Sequence, residues 1–361
     1  MLMKSYDVLS VKQYKFSALD LNDPFFDTLK ADYPGFSNWF LKKGDENAFV
    51  VKNETGIQAF LYMKIEDKDE DYSHFTNPLQ PAKRLKVGTF KITQNGYYLG
   101  ERFFRIILEH AIINNVQEIY VTIFPKRDEQ KKLIEFMEAF GFSLSTLNKK
   151  TDEQVYVRNM KCIIETKPSL KNYPYIDSSI DRKYYLLAID PIYHTKLIPD
   201  SILREENPSD FTSDINVANA IRKTYIGNYR ISPQPGDIII YYRPKVAGDN
   251  RPAKYATTVT GFGLVTDGYK NIKSFNEVER IVSKRTVLAE EDIKLRISTH
   301  KNGVNILKFL DIYSFINRPI RNFLLESGIL NTNDYPTKEI TEIQFNQILV
   351  EANFKKNILF I

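Results

Sequence analysis

Hydrophobic and polar positions along the first half of the chain alternate between a period of two and a helical period. This pattern predicts short helices near residues 23–33 and 36–42, a hairpin formed by 48–52 and 57–66, and a strand at 85–93. It then predicts an amphipathic helix at 100–113, a strand at 118–125, a helix from 128 that ends before a Gly-Phe pair at 141–142, and a strand at 155–160. The order favours a mixed sheet covered by helices.

The second half begins after residues 163–183, which carry two prolines and several turn formers without a sustained period. This composition predicts a linker between a domain at 1–162 and a domain at 184–361. Beyond it the pattern predicts strands at 184–190, 257–266 and 305–312, and a strand launched by a Pro-Gly-Asp turn that ends at Arg243. Helices are predicted at 217–225, from about 289, at 320–325 and at 342–352.

Composition is that of a folded globular protein. The 361 residues allow two domains with their own cores, and the 43% hydrophobic and 26% charged residues lie near the usual averages. No apolar run reaches the length of a membrane helix, and the first residues lack the apolar core of a signal peptide. The single cysteine, Cys162, excludes an internal disulfide and is expected to be a buried structural thiol. We therefore expect a cytoplasmic protein that does not bind membranes.

Charge and histidine spacing exclude several functional classes. The formal net charge of +5 is a mild basic bias, which is more typical of a solvated face than of a nucleic-acid footprint. The four histidines are scattered and none stands at metal-ligand spacing, so no metal site is expected. The chain also lacks a Walker loop, a Gly-x-Ser-x-Gly elbow and a His-Glu-x-x-His helix, which argues against NTPases and common hydrolases.

The segment Gln94-Asn95-Gly96-Tyr97-Tyr98-Leu99-Gly100 joins the strand at 85–93 to the helix at 100–113. A turn of this kind leaves backbone N–H groups aimed outward at a positive helix end, where a pyrophosphate can bind. Together with the following strand, helix and closing Gly-Phe, this turn resembles the core of the GNAT superfamily, the Gcn5-related N-acetyltransferases, which bind acetyl-CoA.

This resemblance implies a cofactor site but leaves the catalytic residue unassigned. The family's pyrophosphate motif would place Asn95 first, Tyr98 where a glycine is usual, and Gly100 last. The implied acetyl-CoA-binding residues are Phe90, Lys91, Ile92, Asn95, Gly96, Tyr97, Tyr98, Leu99, Gly100 and Gln130. The family's general-acid tyrosine position holds Met137, which cannot donate a proton and is expected to fill the core. Tyr97, Tyr98 and Tyr120 are the nearest alternatives.

No catalytic base stands out from the carboxylates near this core. Glu66, Asp67, Glu101 and Glu118 are present without a spacing that selects one of them. The charged stretch at residues 66–71 is expected to be an exposed loop.

In the second half, the Pro-Gly-Asp turn, an apolar strand ending in Tyr-Tyr-Arg, and a strand containing Gly261 and Gly263 resemble the PUA-like β-barrels, including the ASCH and EVE groups. This resemblance spans residues 184–316 and implies binding of RNA or a modified base. The implied pocket residues are Tyr193, His194, Tyr241, Arg243, Lys284 and Arg285. Aromatic rings can stack on bases and arginine can meet phosphate, although Tyr241 and Tyr242 equally fit simple core-and-surface alternation in a strand.

The resulting hypothesis is an α+β protein with a GNAT-like acetyltransferase domain, a PUA-like barrel and C-terminal helices. It would acetylate an amine of a tRNA, an aminoacyl-tRNA or a ribonucleoprotein, using acetyl-CoA. One alternative is a nucleic-acid-binding protein, such as a toxin–antitoxin or defence component, in which the first domain is a scaffold or a CoA sensor. Another is acetylation of a small amine by the first domain, with a purely structural second half. The sequence leaves a partner protein or a homodimer open.

Overall fold

A computed structural model describes residues 11–93, 98–202, 219–334 and 336–361. Its contacts divide the chain into two compact units, Met1–Lys161 and Cys162–Ile361. Residues 163–183, which we predicted as a linker, are counted with the second unit. There Tyr173, Tyr175 and Ile176 are buried, and Ile176 exchanges backbone hydrogen bonds with Leu359 and Ile361.

The described part of the first unit alternates strands and helices as the hydrophobic pattern predicts. Its strands are β1 (Lys12–Lys15), β2 (Asn47–Asn53), β3 (Gly56–Glu66), β4 (Arg84–Ile92), β5 (Glu118–Ile123), β6 (Ser143–Leu147) and β7 (Gln154–Asn159). Its helices are α1 (Asp27–Asp32), α2 (Phe36–Lys42), α3 (Leu99–Ile113) and α4 (Asp128–Ala139), with 3-10 turns at Phe16–Ala18 and Pro24–Phe26. The predicted elements are confirmed, whereas β1 and β6 were not foreseen.

These strands form one mixed sheet in the order β1-β2-β3-β4-β5-β7-β6. Only β4 and β5 pair in parallel, and α3 makes the crossover between them. One face packs on α1 and α2 through an aromatic core in which the Phe16 ring meets Phe40, Phe60 and Tyr62 at 4.9–5.5 Å. Phe104 of α3 lies 4.1 Å from Phe140, so α3 and the end of α4 pack together.

The second unit also contains a mixed sheet. Its strands are β8 (Tyr184–Ala188), β9 (Arg222–Gly227), β10 (Ile238–Arg243), β11 (Thr258–Ile272), β12 (Val304–Ser314) and β13 (Lys338–Ile340). Its helices are α5 (Pro191–Leu197), α6 (Ala253–Ala256), α7 (Phe275–Val282), α8 (Glu290–Thr299), α9 (Arg321–Glu326) and α10 (Glu342–Glu351), with 3-10 turns at Pro199–Ser201 and Lys356–Ile358. The strand order is β13-β8-β10-β11-β12-β9, and β8 with β10 is the parallel pair.

The structure differs from three predictions for the second half of the chain. The helix predicted at residues 217–225 is wrong at 222–225, because Arg222–Gly227 forms β9 along β12 and buries most of its residues, including Lys223. The described strand pairs run in an open order, and none of them joins β13 to β9 into a closed barrel. Cys162 is exposed rather than buried, because the preceding strand already ends at Asn159.

The C-terminal helices pack as predicted against the sheet of the second unit. The Phe345 ring of α10 stacks on Tyr184 of β8 at 4.8 Å, and Phe262 of β11 meets Phe345, Phe354 and Phe360 at 5.7–6.1 Å. The fold class, helices on mixed sheets in two successive units, is thereby confirmed. Within the ranges that the structure describes, no helix has both the length and the apolar character needed to cross a bilayer.

Candidate functional site

The parallel strands β4 and β5 separate at their carboxyl ends. Their paired residues run from Arg84 and Glu118 to Val87 and Val121, and beyond that point each strand continues without a partner on the other. β4 still pairs with β3 as far as Ile92, and β5 still pairs with β7 as far as Ile123. A gap therefore opens between two parallel strands at the sheet edge where ligands of open α/β sheets bind.

A β-bulge at Gly88 marks the point of separation. Tyr62 of β3 pairs with Thr89 and Met63 pairs with Val87, which leaves Gly88 as the extra residue. A Cβ atom on Gly88 would lie 2.7 Å from Cδ1 of Tyr62, so any larger residue there would force the Tyr62 ring to move. A bulge bends its strand and interrupts pairing, and we infer that Gly88 turns the end of β4 away from β5.

Backbone donors of β4 face this gap. The N–H of Thr93 donates to Gln58 O at 2.9 Å, which fixes the alternation of the antiparallel ladder between β3 and β4. By that alternation Lys91 bonds to β3, while the N–H groups of Phe90 and Ile92 point away from β3, towards the side of β5. These are two of the residues that we predicted to contact the cofactor.

The amino end of α3 follows β4 at the same edge of the sheet. Tyr98 precedes the helix in a left-handed conformation with φ of 47°, and the first intrahelical bond runs from Arg102 N to Tyr98 O at 3.2 Å. In the described part of the chain, the N–H groups of Leu99 and Gly100 donate to no protein acceptor. Two unpaired amides at a helix N-terminus attract an anion such as a phosphate.

The predicted cofactor residues divide into three groups. Asn95, Gly96 and Tyr97 lie outside the described residues, so their predicted role stays a prediction. Phe90 and Ile92 lie on the part of β4 beyond its pairing with β5, and Tyr98, Leu99 and Gly100 lie at the start of α3. Lys91 and Gln130 point their side chains elsewhere. The Lys91 ammonium donates to Phe25 O and to Thr28 Oγ1, and the pKa of Lys91 is lowered because the group is partly buried.

Gln130 caps helix α4, and Met137 of the same helix packs in the core. Gln130 Oε1 accepts the N–H of Arg127 at 2.9 Å, and its Nε2 donates to Asp32 at 3.2 Å, so this side chain caps α4 and ties it to α1. Met137 is buried, which agrees with the expectation that it fills the core.

Glu66 lies at the centre of a buried cluster opposite Arg84, at the start of β4. Glu66 Oε2 accepts the hydroxyls of Tyr120 at 2.6 Å and Tyr72 at 3.1 Å, and its Oε1 lies 3.5 Å from the Lys64 ammonium and 3.8 Å from that of Lys86. The exposed loop expected at residues 66–71 therefore begins one residue later, because Glu66 is 3% exposed and ends β3. The sequence offered this carboxylate only as one of four equivalent candidates.

The second unit buries half of the residues that we predicted to bind nucleic acid. His194, Tyr241 and Arg243 are at most 1% exposed, and the Tyr241 hydroxyl donates to Asp311 at 3.0 Å. Tyr241 and Arg243 are buried because β10 is covered on both faces, and His194 is buried on α5. Lys284 is exposed, and Tyr193 and Arg285 are partly exposed. The structure thus does not bring the six residues together as one open pocket.

His194 is held neutral in this core. Its Nε2 lies 2.8 Å from Thr260 Oγ1, and its Nδ1 has no hydrogen-bond partner in the described structure. Burial, with smaller contributions from the nearby Arg243 and Arg318 charges, holds the pKa of His194 well below 6.5.

We expect His194 to make the protein less stable in mild acid. The unfolded chain binds a proton near pH 6.5 that the folded chain does not accept, so the free energy of unfolding is unaffected above pH 6.5. Below it, this free energy falls by up to about 1.4 kcal/mol per pH unit until the folded pKa is reached. Urea unfolding between pH 7.5 and 5 measures the slope.

The matched variants are His194→Gln and His300→Gln, since His300 is exposed. His194→Gln should reduce the pH dependence of the free energy of unfolding relative to the parent chain, and His300→Gln should leave that dependence unchanged. Equal slopes in all three chains would contradict a buried neutral histidine at position 194.

Comparison with known proteins gives similarities at the level of solved structures. No family model and no curated protein matches the chain. The ASCH protein of Zymomonas mobilis is 13% identical, covering 47% of this chain and 96% of its own at a TM-score of 0.31. A GNAT-family acetyltransferase of Listeria monocytogenes is 14% identical, and the match covers 44% of this chain and 100% of that protein at a TM-score of 0.30. Naa20 of Chaetomium thermophilum, in complex with a bisubstrate analogue, is 16% identical, and the match covers 42% of this chain and 87% of Naa20 at a TM-score of 0.31. Such low values transfer no residue, ligand or activity to this chain.

Proposed function

We propose that the first unit binds acetyl-CoA and transfers its acetyl group to an amine. The observation that carries this proposal is the separation of β4 from β5 after Val87 and Val121, followed by the start of α3, where the amides of Leu99 and Gly100 have no acceptor among the described residues. A narrow gap between strands suits an extended arm such as pantetheine. The two helix amides suit the diphosphate at the end of that arm.

Acetyl transfer from a thioester to an amine requires few side-chain groups in this gap. Attack of an amine on a thioester requires the two groups to be held together and the carbonyl oxygen to be polarised as negative charge develops on it. The N–H groups of Phe90 and Ile92, which face away from β3, can supply that polarisation. The absence of a tyrosine at position 137 therefore does not remove the means of activating the thioester.

Calorimetric titration of the full chain with acetyl-CoA tests the cofactor site. We expect a dissociation constant below about 100 μM, roughly −5.5 kcal/mol. ADP is the matched control, because it offers the diphosphate without the pantetheine arm and should bind at least about tenfold more weakly. Absence of binding by acetyl-CoA, or equal binding of both ligands, would reject the proposed use of the gap.

We further propose that the acceptor amine belongs to an RNA-associated molecule and that the second unit binds the RNA. The observation that favours this is the basic turn after α7, formed by Lys284 and Arg285 beside Arg222. Lys284 is exposed, and the Arg285 guanidinium reaches the Arg222 carbonyl at 3.3 Å, which keeps the two arginines together at the surface. Phosphate contacts by such residues supply sequence-independent affinity.

Binding of single-stranded RNA across a salt series tests this part of the proposal. Each phosphate contact contributes about −0.7 to the slope of log K against log salt. Replacing both Lys284 and Arg285 by alanine should therefore weaken RNA binding and make the slope shallower by about 1.4. Lys301→Ala, at another exposed lysine of the same unit, should change neither quantity. If neither set of substitutions changes the RNA affinity, the RNA-binding site must lie elsewhere in the protein.

Two alternatives predict other results from the same protein. If the first unit is only a scaffold, acetyl-CoA does not bind. If it is a CoA sensor, acetyl-CoA binds but no thiol is released with any amine. If the protein acetylates a small amine, thiol release is faster with spermidine than with puromycin, which resembles the end of an aminoacyl-tRNA, and the basic turn has no effect on it.

A further inference from the structure

We propose that Tyr120 and Glu66 form a proton relay that removes the proton of the acceptor amine during acetyl transfer. This inference rests on the proposed acetyltransferase function and adds the catalytic groups that the sequence left unassigned. Tyr120 would contact the amine, and Glu66 would act through Tyr120 as the final proton acceptor.

The position of Tyr120 in the sheet is the first support. Tyr120 pairs with Lys86, and the next pair, Val87 with Val121, is the last before β4 and β5 separate. A thioester lying in the gap would have its reacting end where the gap closes, one residue from Tyr120. Of the two catalytic candidates that the structure describes, Tyr98 precedes α3, whereas Tyr120 lies on a strand that forms the gap.

The hydrogen bonds of Tyr120 set the direction of proton movement. Its hydroxyl donates to Glu66 Oε2 at 2.6 Å, in a cluster where Tyr120 and Glu66 are both nearly inaccessible to water. Burial and this hydrogen bond raise the pKa of Tyr120 far above its ordinary value. The hydroxyl proton is thus held towards Glu66, which leaves the lone pairs of the oxygen to accept an N–H from outside the cluster.

The groups around the pair keep a negative charge on Glu66 tolerable. Lys64 and Lys86 place ammonium groups within 4 Å of Glu66 Oε1, and Lys86 also lies 5.6 Å from the centre of the Tyr120 ring. Glu70 adds a more distant negative charge, and its carboxylate lies 3.3 Å from the Lys64 ammonium, which offsets that charge. These two cations offset the charge of the buried carboxylate.

The proposed step balances as follows. The neutral amine attacks the thioester carbon, and a C–N bond forms. The resulting ammonium proton passes to the oxygen of Tyr120 while the Tyr120 proton passes to Glu66. The C–S bond then breaks, CoA leaves as a thiolate and takes a proton from water, and Glu66 returns its proton to solvent. The products are the acetylated amine and free CoA.

The chain contains a matched control for this relay. The Tyr72 hydroxyl donates to the same oxygen of Glu66 at 3.1 Å and is buried almost as deeply, but Tyr72 lies in the loop after β3 rather than on a strand of the gap. Tyr120→Phe and Tyr72→Phe each remove one hydroxyl from the same carboxylate. A purely structural cluster would respond to both changes alike, whereas a relay would respond only to the first.

The experiment measures thiol release from acetyl-CoA by the full chain with three amine probes: spermidine, puromycin and a short peptide with a free N-terminus. Tyr120→Phe should lower kcat with the best probe by about 100-fold or more, the usual range for a lost proton-transfer group. The KM for the amine and the affinity for acetyl-CoA should stay within about threefold. Tyr72→Phe should keep kcat within about threefold.

Glu66→Gln and the double variant complete the test. Glu66→Gln should lower kcat about as much as Tyr120→Phe, and combining the two should cost little more, because both remove the same relay. Equal kcat losses in the Tyr72 and Tyr120 variants, unchanged kcat in Tyr120→Phe, or loss of acetyl-CoA binding by Tyr120→Phe would each overturn the relay. If acetyl-CoA binds but no probe releases thiol, the relay fails and the cofactor site stands. If the parent chain does not bind acetyl-CoA, the proposed function itself fails.

Discussion

Gly100→Trp is expected to abolish acetyl-CoA binding while the second unit keeps its fold and its affinity for RNA. A Cβ atom at position 100 would already lie 3.4 Å from Cε2 of Phe136 in α4, tighter than most such contacts. An indole cannot enter that space, so the first turn of α3 must move or the ring must cover the amides of Leu99 and Gly100. Either outcome removes the proposed anion site, and we expect at least a 100-fold loss of affinity, about 2.7 kcal/mol or more.

Gly100→Ala is the matched control for this prediction. A methyl group meets Phe136 at the same 3.4 Å, which a small shift of the ring can relieve, and it leaves the amides accessible. Alanine also favours the helix over glycine by roughly 0.5–1 kcal/mol. Acetyl-CoA affinity should therefore remain within a fewfold of the parent chain. Calorimetry measures the acetyl-CoA affinity of both variants, and circular dichroism verifies that they fold. If the Gly100→Trp chain folds and binds acetyl-CoA as the parent chain does, the proposed site is misplaced.

The sequence predicts most elements of the first unit because each of them has a clear period and a terminating signal. Helix α2 is predicted at its observed bounds, and α3 differs by one residue. The edge strands β1 and β6 escape prediction, since β6 exposes most of its side chains and has no buried face to impose alternation. A short edge strand is defined by its hydrogen bonds to a neighbour, which a local pattern does not reveal.

The gap itself was only partly predictable. The glycine turn points to the junction of β4 and α3, but the β-bulge at which the strands separate lies at Gly88, a residue whose importance depends on Tyr62 packing across it from another strand. Glu66 is likewise distinguished from the other carboxylates only by tyrosines that follow it by 6 and 54 positions. Such long-range partners have no signature in a single sequence.

The second unit shows how an apolar run can mislead about a binding surface. The strand ending in Tyr-Tyr-Arg is correctly placed, but both of its faces are covered, and this buries Tyr241 and Arg243 together with their polar atoms. The predicted helix fails at residues 222–225 because the apolar residues there also fit a strand, and pairing with β12 decides between the two. Exposed turn residues such as Lys284 were less conspicuous in sequence than the aromatic pair.

Gly261→Ala is expected to destabilise the second unit by about 3 kcal/mol, at the upper end of ordinary overpacking. The new Cβ would lie 2.2 Å from the carbonyl oxygen of Tyr313 and 3.0 Å from Cα of Ser314, both backbone atoms of the neighbouring strand β12. Because β11 is paired on both sides, with β10 and β12, relief of this clash must break ladder hydrogen bonds. We expect the thermal midpoint of the affected transition to fall by roughly 6–12 °C.

Gly268→Ala provides the comparison within the same strand. Its Cβ would meet Pro233 O at 3.4 Å and Leu307 at 3.9 Å, distances that need little adjustment at an exposed position. Both substitutions restrict the unfolded chain equally, so the difference between their unfolding free energies reports the native clash alone. Denaturant unfolding of the two variants should therefore separate them by more than about 2 kcal/mol. If they are equally stable, β11 and β12 do not approach each other at Gly261 as closely as the structure has them, and the sheet that supports the second unit must be paired differently.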